Sequence, residues 1–328
     1  MAVIDPNGAA GSVLSPIRTP NRPPMQPNVA NVVLGSLHIK PWFPSFYPED
    51  LIGGRKTEWL YVCRWCFKYT GEIMKYSAHS KVCPLKDEPP PGDVIYDKDE
   101  YIIHQIDGEE HKLYTQNLSL LSKLWLDTKS VFFDVSTFLY YPLILRTEDH
   151  PYGQVVGFFS KEKMSWDNNN VACILVFPPW QRRGFGQVLM AASYELGRRE
   201  ARFGGPERPL SDLGRKGYIS FWCGEVYRYI LSCPPRKTVT IKDISEATYV
   251  MPEDLVAALR EMDVLETRKT ASGSVVVHKG KLRAWAERQK VAREPLVDRE
   301  AFVEEETEGI SEEEEGDEEE ENGSEMEE

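Results

Sequence analysis

No apolar run in the 328-residue sequence approaches the roughly 20 residues that a membrane-spanning helix needs; near its middle the longest is VACILVF, residues 171–177. The opening MAVIDPNGAAG lacks the basic-then-apolar layout of a secretion signal. A soluble intracellular protein without membrane contact is therefore the expectation. Basic residues are missing from the C-terminal end: residues 300–328 hold 17 Asp and Glu and no Lys or Arg. The remaining 35 acids face 39 bases, so the formal charge of −13 resolves into a body of +4 and a polyanionic tail. Self-repulsion and lack of apolar surface predict disorder there. A solubilising or linker role and engagement of a basic partner such as histone both stay open for it. Cysteine is also scarce. Six in a chain this long do not make a disulfide scaffold, and three within 21 positions suggest metal binding in a reducing compartment.

With 41% hydrophobic residues the chain can bury a real core, and its length allows two or three domains. Residues 1–32 are rich in Pro, Asn and Gly and read as a disordered leader. Ser15-Pro16 and Thr19-Pro20 fit proline-directed phosphosites, although linker composition explains them as well. Strand-like alternation appears in EWLYVC (58–63), DVIYDKDEYIIHQID (93–107) and HKLYTQN (111–117). NLSLLSKLWLDTK, with Leu118, Leu121 and Trp125 spaced by three and four, reads as a helix; QVVGFFSKE and NNVACILVF read as strands. GQVLMAASYELGRREAR places Leu189, Ala192, Ser193 and Leu196 on one helical face. This mixture predicts an α+β (mixed α/β) fold.

After Pro234-Pro235, Thr240 and Asp243 form a capping-box pair, and Pro252 opens PEDLVAALREM. VLETRKTASGSVVVHKG looks like a hairpin turning at Gly273, which completes a winged-helix-like unit. Its candidate recognition helix sets Glu253, Asp254 and Glu261 against Arg260 alone. That balance disfavours contact with DNA phosphates and points to packing against the core. The expected parts are the leader 1–32, a zinc-finger subdomain 33–90, a central core 91–233, the winged-helix-like unit 234–290 and an acidic disordered tail 291–328.

Cys63-x2-Cys66 is followed after twelve residues by His79-x3-Cys83. Two ligands on a knuckle and two on a helix one turn apart can converge on a tetrahedral ion, and thiolate with imidazole favours Zn2+. A redox pair is the other reading. Four protein ligands leave no open position, so the zinc is expected to be structural. DNA-reading fingers share the spacing, but they usually occur in arrays; a single finger reads better as a knob on a larger domain.

The stretch FPPWQRRGFGQ, residues 177–187, leaves a strand through prolines and meets a helix at a glycine-rich corner. Successive backbone N–H groups and the positive end of a helix dipole suit a diphosphate. Gly184 and Gly186 let the backbone approach without a Cβ in the way. The corner has no Gly-Lys-Ser/Thr of a Walker loop, and it lacks the first-strand setting and downstream acid of a dinucleotide fold.

Gln/Arg-x-x-Gly-x-Gly is the form in which N-acetyltransferases hold the pyrophosphate of coenzyme A. Together with LYVCRWCFKY, DGEEHKLYTQNLSLLSKLWLD, VVGFFSKEK, NNVACILVFPPWQRRGFGQ, SYELGRRE and PERPLSDLG, in this order, the sequence resembles the MYST family of histone acetyltransferases over about residues 40–285. No chromodomain-like or PHD-like segment precedes that region. In this the chain resembles the short "something about silencing" branch, whose members act on histone H4 within a small complex. The resemblance implies an acetyl-CoA-binding N-acetyltransferase-like catalytic core, histone tails of nucleosomes as substrate, H4 among them, a small multi-subunit acetyltransferase complex, weak or no direct DNA contact, and a nuclear location. Glu207 in GGPERPLSD falls on the family's general base, Cys173 on its active-site cysteine, and Lys129 in WLDTKS on its autoacetylated lysine. Contacts with coenzyme A fall on Ile174, Leu175, Val176, Gln181, Arg182, Arg183, Gly184, Phe185, Gly186, Gln187, Ser211 and Ser220. Trp180, Gln187 and Thr128 depart from the Tyr, Lys and His of many members; the last puts the surroundings of Lys129 in question.

A substrate lysine, with a pKa near 10.4, must lose a proton before it attacks a thioester, and a carboxylate can accept it. Cys173 in an apolar strand is either packing or a nucleophile that forms an acetyl-enzyme. Direct attack needs only Glu207 and a backbone N–H for the oxyanion, and it is the preferred route. Three other functions compete with a histone lysine acetyltransferase: a small-molecule N-acetyltransferase, a non-catalytic zinc-finger and winged-helix DNA-binding regulator, and a scaffold dependent on partner subunits.

Overall fold

A computed structural model of the chain describes residues 3–4, 26–52, 57–148, 150–234, 239–267 and 275–303. The central sheet has five antiparallel strands: β6 (Asp93–Lys98), β7 (Tyr101–Asp107), β8 (Phe138–Thr147), β9 (His150–Glu162) and β10 (Cys173–Val176), in the order β10-β9-β8-β7-β6. On its N-terminal side lies a second sheet, β3-β2-β4-β5, of β2 (Val29–Leu34), β3 (Leu37–Ile39), β4 (Thr57–Val62) and β5 (Tyr69–Thr70). The short α1 (Glu49–Ile52) precedes β4, and α2 (Ile73–Val82) follows β5. A third sheet joins β1 (Val3–Ile4) to the C-terminal hairpin of β11 (Leu265–Thr267) and β12 (Val275–Val277). The remaining helices are α3 (Lys112–Lys123), α4 (Phe185–Arg199), α5 (Asp212–Ser232), α6 (Ile241–Thr248), α7 (Pro252–Glu261) and α8 (Lys279–Gln289).

Both faces of the central sheet are covered. Tyr141, Leu143 and Phe159 pack with α4, α5 and the C-terminal helices, whereas Tyr140, Ile144 and Phe158 pack with α3 and the second sheet. Strand alternation separates the two sets. Between Leu143 and Ile144 the partner on β9 jumps from Gly157 to Val155, leaving Val156 as a bulge residue whose carbonyl accepts the N–H of Phe177 at 2.9 Å. Bulges re-aim strands beside functional sites. This one lies where the chain leaves β10.

The α+β expectation holds, with two local differences. HKLYTQN is the first half of α3, because Tyr114, Leu118 and Leu121 share the buried face of a helix and burial at that period overrides the short β-like alternation. Strand β2 begins at Val29, inside the stretch read as leader, because Val29 and Val32 are buried. The finger sits against the core, as a knob on a larger domain would: Phe67, at the tip of its knuckle, is fully buried against Tyr114 and Phe177. In the C-terminal unit the capping box of Thr240 and Asp243 is present and Pro252 begins α7. The Gly273 turn, both phosphosite candidates and the tail from residue 304 lie outside the described residues. Among those described, no helix is long and apolar enough to cross a membrane.

Gly157 is where β9 admits β10. A Cβ there would sit 2.6 Å from the Leu175 carbonyl oxygen and 2.9 Å from Val176 Cα, both backbone atoms that move only with the strand. Gly157→Ala should lower unfolding free energy by about 1–3 kcal/mol, the range for overpacking, as read from denaturant midpoints; an unchanged midpoint would mean that β10 slides freely.

Candidate functional site

The site is built along β10, which among the described residues is paired with a strand on one edge only. Cys173 faces Ser160 of β9 in register, and just before it Ala172 N–H donates to the Ser160 carbonyl at 2.7 Å. On the other edge, Val171 bridges to Pro206 and its carbonyl accepts the N–H of Glu207 at 2.8 Å. Asn170 N–H donates to the Gly205 carbonyl at 2.9 Å, so two consecutive ties hold the Glu207 segment against the entry to β10. Glu207 is exposed. Partial burial of its carboxylate, and then the like charge of Glu162 at the end of β9, raise its pKa above the ordinary carboxylate value. The next residue, Arg208, lies over the Trp222 ring and hydrogen-bonds Asp254 of α7. Asp254 is 3% exposed and its second oxygen has no partner.

Lys129 is buried, and its Nζ lies 3.9 Å from Cys173 Sγ. The turn after α3 draws it in: Lys123, also buried, caps that turn by donating to the carbonyls of Leu126 and Asp127. Cys173 is half-buried.

Beyond β10, Phe177 begins the corner. Gly184 takes φ +89° as N-cap of α4, and the space beyond its Cα holds no atom within 4 Å of a would-be Cβ. Among the described residues, the backbone N–H groups of residues 182–186 meet no acceptor. Consecutive at the start of a 15-residue helix, on residues that are exposed at 182–184 and half-buried at 185–186, they remain available as donors. Arg182 and Arg183 are exposed beside them, Arg182 with φ +62°. Gln181 and Gln187 turn inward: Gln181 Nε2 donates to the Val176 carbonyl at 2.8 Å, and Gln187 Nε2 to the Gly217 carbonyl of α5 at 3.1 Å. Leu175 is buried in the core, while Ile174, Val176, Phe185 and Gly186 are half-buried. Ser211 caps α5 by accepting from Gly214 N–H, and Ser220 is exposed one turn beyond Gly217.

Cys63, Cys66, His79 and Cys83 converge, with all ligand atoms within 4.8 Å of one another. Sulfurs on a tetrahedral ion with Zn–S bonds of about 2.3 Å stand about 3.8 Å apart. Cys63 and Cys83 Sγ are 3.8 Å apart, and Cys66 Sγ is 3.2 Å from His79 Nε2. All six cysteines are free, so the donor set fits zinc and no disulfide. The knuckle is closed by hydrogen bonds from Phe67 N–H to the Cys63 carbonyl and from Cys63 N–H to the Lys68 carbonyl.

Three contributors escape sequence reasoning: Glu162, which acts on Glu207 through space; Asp254, which reads as an acid on a helix surface; and Gly157, which is one glycine in an apolar run. Only tertiary placement distinguishes them.

Residues 89–302 match the MOZ/SAS family, and residues 26–83 match the MYST family zinc finger domain. A Caenorhabditis elegans protein named histone acetyltransferase Tip60 homolog is 37% identical over 269 residues, covering 81% of this chain and 57% of that protein. Drosophila melanogaster histone acetyltransferase MOF is 42% identical over 233 residues, 71% of this chain and 27% of that protein. Saccharomyces cerevisiae histone acetyltransferase SAS3 is 38% identical over 261 residues, 74% of this chain and 31% of that protein. The chain thus spans about half or less of the length of these curated relatives. With the zinc ligands, the corner and the Glu207 segment all inside the matched stretches, the chain belongs to the MOZ/SAS family and carries the MYST zinc finger at its N-terminal side.

Proposed function

We propose that this chain is a nuclear, acetyl-CoA-dependent histone lysine acetyltransferase that acts on histone tails, H4 among them, within a small multi-subunit complex. The observation that carries this reading is the one-sided strand β10, flanked by the Glu207 segment at one end and by the unpaired N–H groups of residues 182–186 at the other. Family membership and the names of the relatives support it.

Acetyl-CoA supplies an acetyl group activated as a thioester. The corner holds the diphosphate through the N–H groups of residues 182–186, with Arg182 and Arg183 adding positive charge. The open edge of β10 along Ile174, Leu175 and Val176 borders the pantetheine arm, and Ser211 and Ser220 border the site from α5. Glu207 takes the proton from the substrate ammonium; the freed amine forms its amide bond to the thioester carbon as the C–S bond breaks, and coenzyme A leaves as its thiolate, which takes up the proton that the amine nitrogen gives up. Direct attack leaves Cys173 as a wall of the pocket beside Lys129, the residue proposed to be autoacetylated. The DNA-reading alternative is disfavoured by α7, whose Asp254 is buried against Arg208 instead of facing solvent. The proposed zinc role is structural, since all four positions come from protein and Phe67 of the same knuckle is seated in the core.

In an assay of acetyl transfer to histone H4 peptides, Glu207→Gln should lower kcat by roughly 10²–10⁴-fold, the size of a general-base effect, with Tm unchanged because the side chain is exposed. The raised pKa of Glu207 means that the base stays protonated, and the enzyme slow, to a higher pH than an ordinary carboxylate allows. Activity should therefore rise with pH along an acid limb, and Glu162→Gln, which removes the like charge, should move that limb to lower pH. A limb that ignores both substitutions sinks the assignment. Stripping the metal with a chelator, or Cys63→Ser, should lower Tm together with measured zinc content; a metal-free chain with undiminished Tm contradicts a structural ion.

A further inference from the structure

On α5, well along the helix from its Ser211 cap, a cavity of about 350 Å³ opens between the last turns of α5, α8 and the segment that follows α8. Its lining is Tyr227, Arg228, Leu231, Ser232, Arg283 and Arg293, three guanidiniums and no carboxylate. Arg228 is the anchored member: its Nη2 pairs with Glu225 at 2.7 Å and its Nη1 donates to the Ala292 carbonyl at 3.3 Å, while its buried Nε has no acceptor. Arg283 and Arg293 are exposed and form no ion pair or hydrogen bond among the described residues. The Tyr227 hydroxyl likewise has no partner there, whereas Ser232 Oγ is committed to the Tyr229 carbonyl. The one acid bonded to the lining, Glu225, is already engaged by Arg228.

We propose that this cavity is a binding site for a small organic polyphosphate, separate from the corner at residues 182–186. With Arg228 already paired to Glu225, Arg283 and Arg293 remain as two cations on the lining without a carboxylate partner among the described residues, and an anion in the cavity offsets their charge. Guanidinium forks match phosphoryl oxygens in pairs, and a phosphomonoester brings about −1.5 to −2 charges with three strong acceptors, more than a carboxylate offers. The volume falls at the lower end of the roughly 300–1,000 Å³ of small-molecule sites, which is large for a single inorganic ion. Leu231 and the Tyr227 ring supply apolar wall for a carbon skeleton. The inference does not depend on Glu207 or on acetyl transfer.

The test is calorimetric titration of the full, zinc-loaded chain with inositol hexakisphosphate, alongside inorganic phosphate and coenzyme A, with Tm recorded in parallel. Binding of one inositol hexakisphosphate per chain is expected, with a rise in Tm, because a ligand of the folded state stabilises it by mass action. The double variant R283Q/R293Q, altered only at exposed side chains, should fold normally and bind at least roughly tenfold more weakly, as expected when charge-assisted hydrogen bonds are lost. Saturation with coenzyme A should leave the affinity unchanged. Absence of binding at millimolar ligand, undiminished affinity in the double variant, or displacement by coenzyme A would each overturn the proposal.

Discussion

The structure turns on a short strand that is hydrogen-bonded along one edge. If β10 had a full partner on its second edge, the Glu207 segment would have nowhere to run and the main chain of residues 173–176 would be unavailable to a ligand. An exposed edge invites unwanted pairing, and proteins usually blunt or cover it. Here it is short, capped at its start by the Val171 and Pro206 bridge, and ended by the turn into Pro178. The bulge at Val156 and the bare Cα of Gly157 let β10 approach β9 and then leave it. The Glu207 segment and the corner at residues 182–186 are thereby confined to one edge.

The flanking units act as clamps on the two ends of that edge. The zinc knuckle holds Phe67, and Phe67 packs against Phe177, the last residue before the corner. At the other end, Asp254 of the winged-helix-like unit bonds Arg208, the neighbour of Glu207. Burying a charge pair seldom adds net stability, because desolvation offsets the attraction. Its effect is orientational: Asp254 fixes which way the Arg208 segment faces. A finger and a winged helix, both of which suggest nucleic-acid reading from sequence, here spend their contacts on the loop and strand they bracket.

Legibility followed locality. The zinc ligands and the glycine corner were plain because spacing of a few residues on a knuckle, a helix or a turn is itself geometry. The capping box at Thr240 and the Pro252 start of α7 were plain for the same reason. HKLYTQN was misread because its alternation spans too few residues to outweigh the helical period that begins with Tyr114. The strand β8 and the helices α5 and α8 were not delimited in advance; α5 buries residues on several sides and α8 is strongly polar, so neither carries a clean one-face period. The burial of Lys129 and the tie from Asp254 to Arg208 join residues 44 and 46 positions apart, and no pattern in one chain encodes such pairs.

The electrostatics of Glu207 link its proposed role to its position. A general base at neutral pH works best when it holds a proton more strongly than an ordinary carboxylate, yet remains ionised when substrate arrives. Full burial would secure the first condition at the expense of the second. Glu207 instead stays exposed, with partial desolvation and the nearby charge of Glu162 raising its pKa in the direction required. Two neighbouring carboxylates also attract a cationic side chain, so in the proposed role one arrangement would both gather a lysine and strengthen the base. Because Glu162 ends β9 and Glu207 is tied to the start of β10, their proximity is set by the pairing of those two strands, and the chemistry inherits its precision from the sheet.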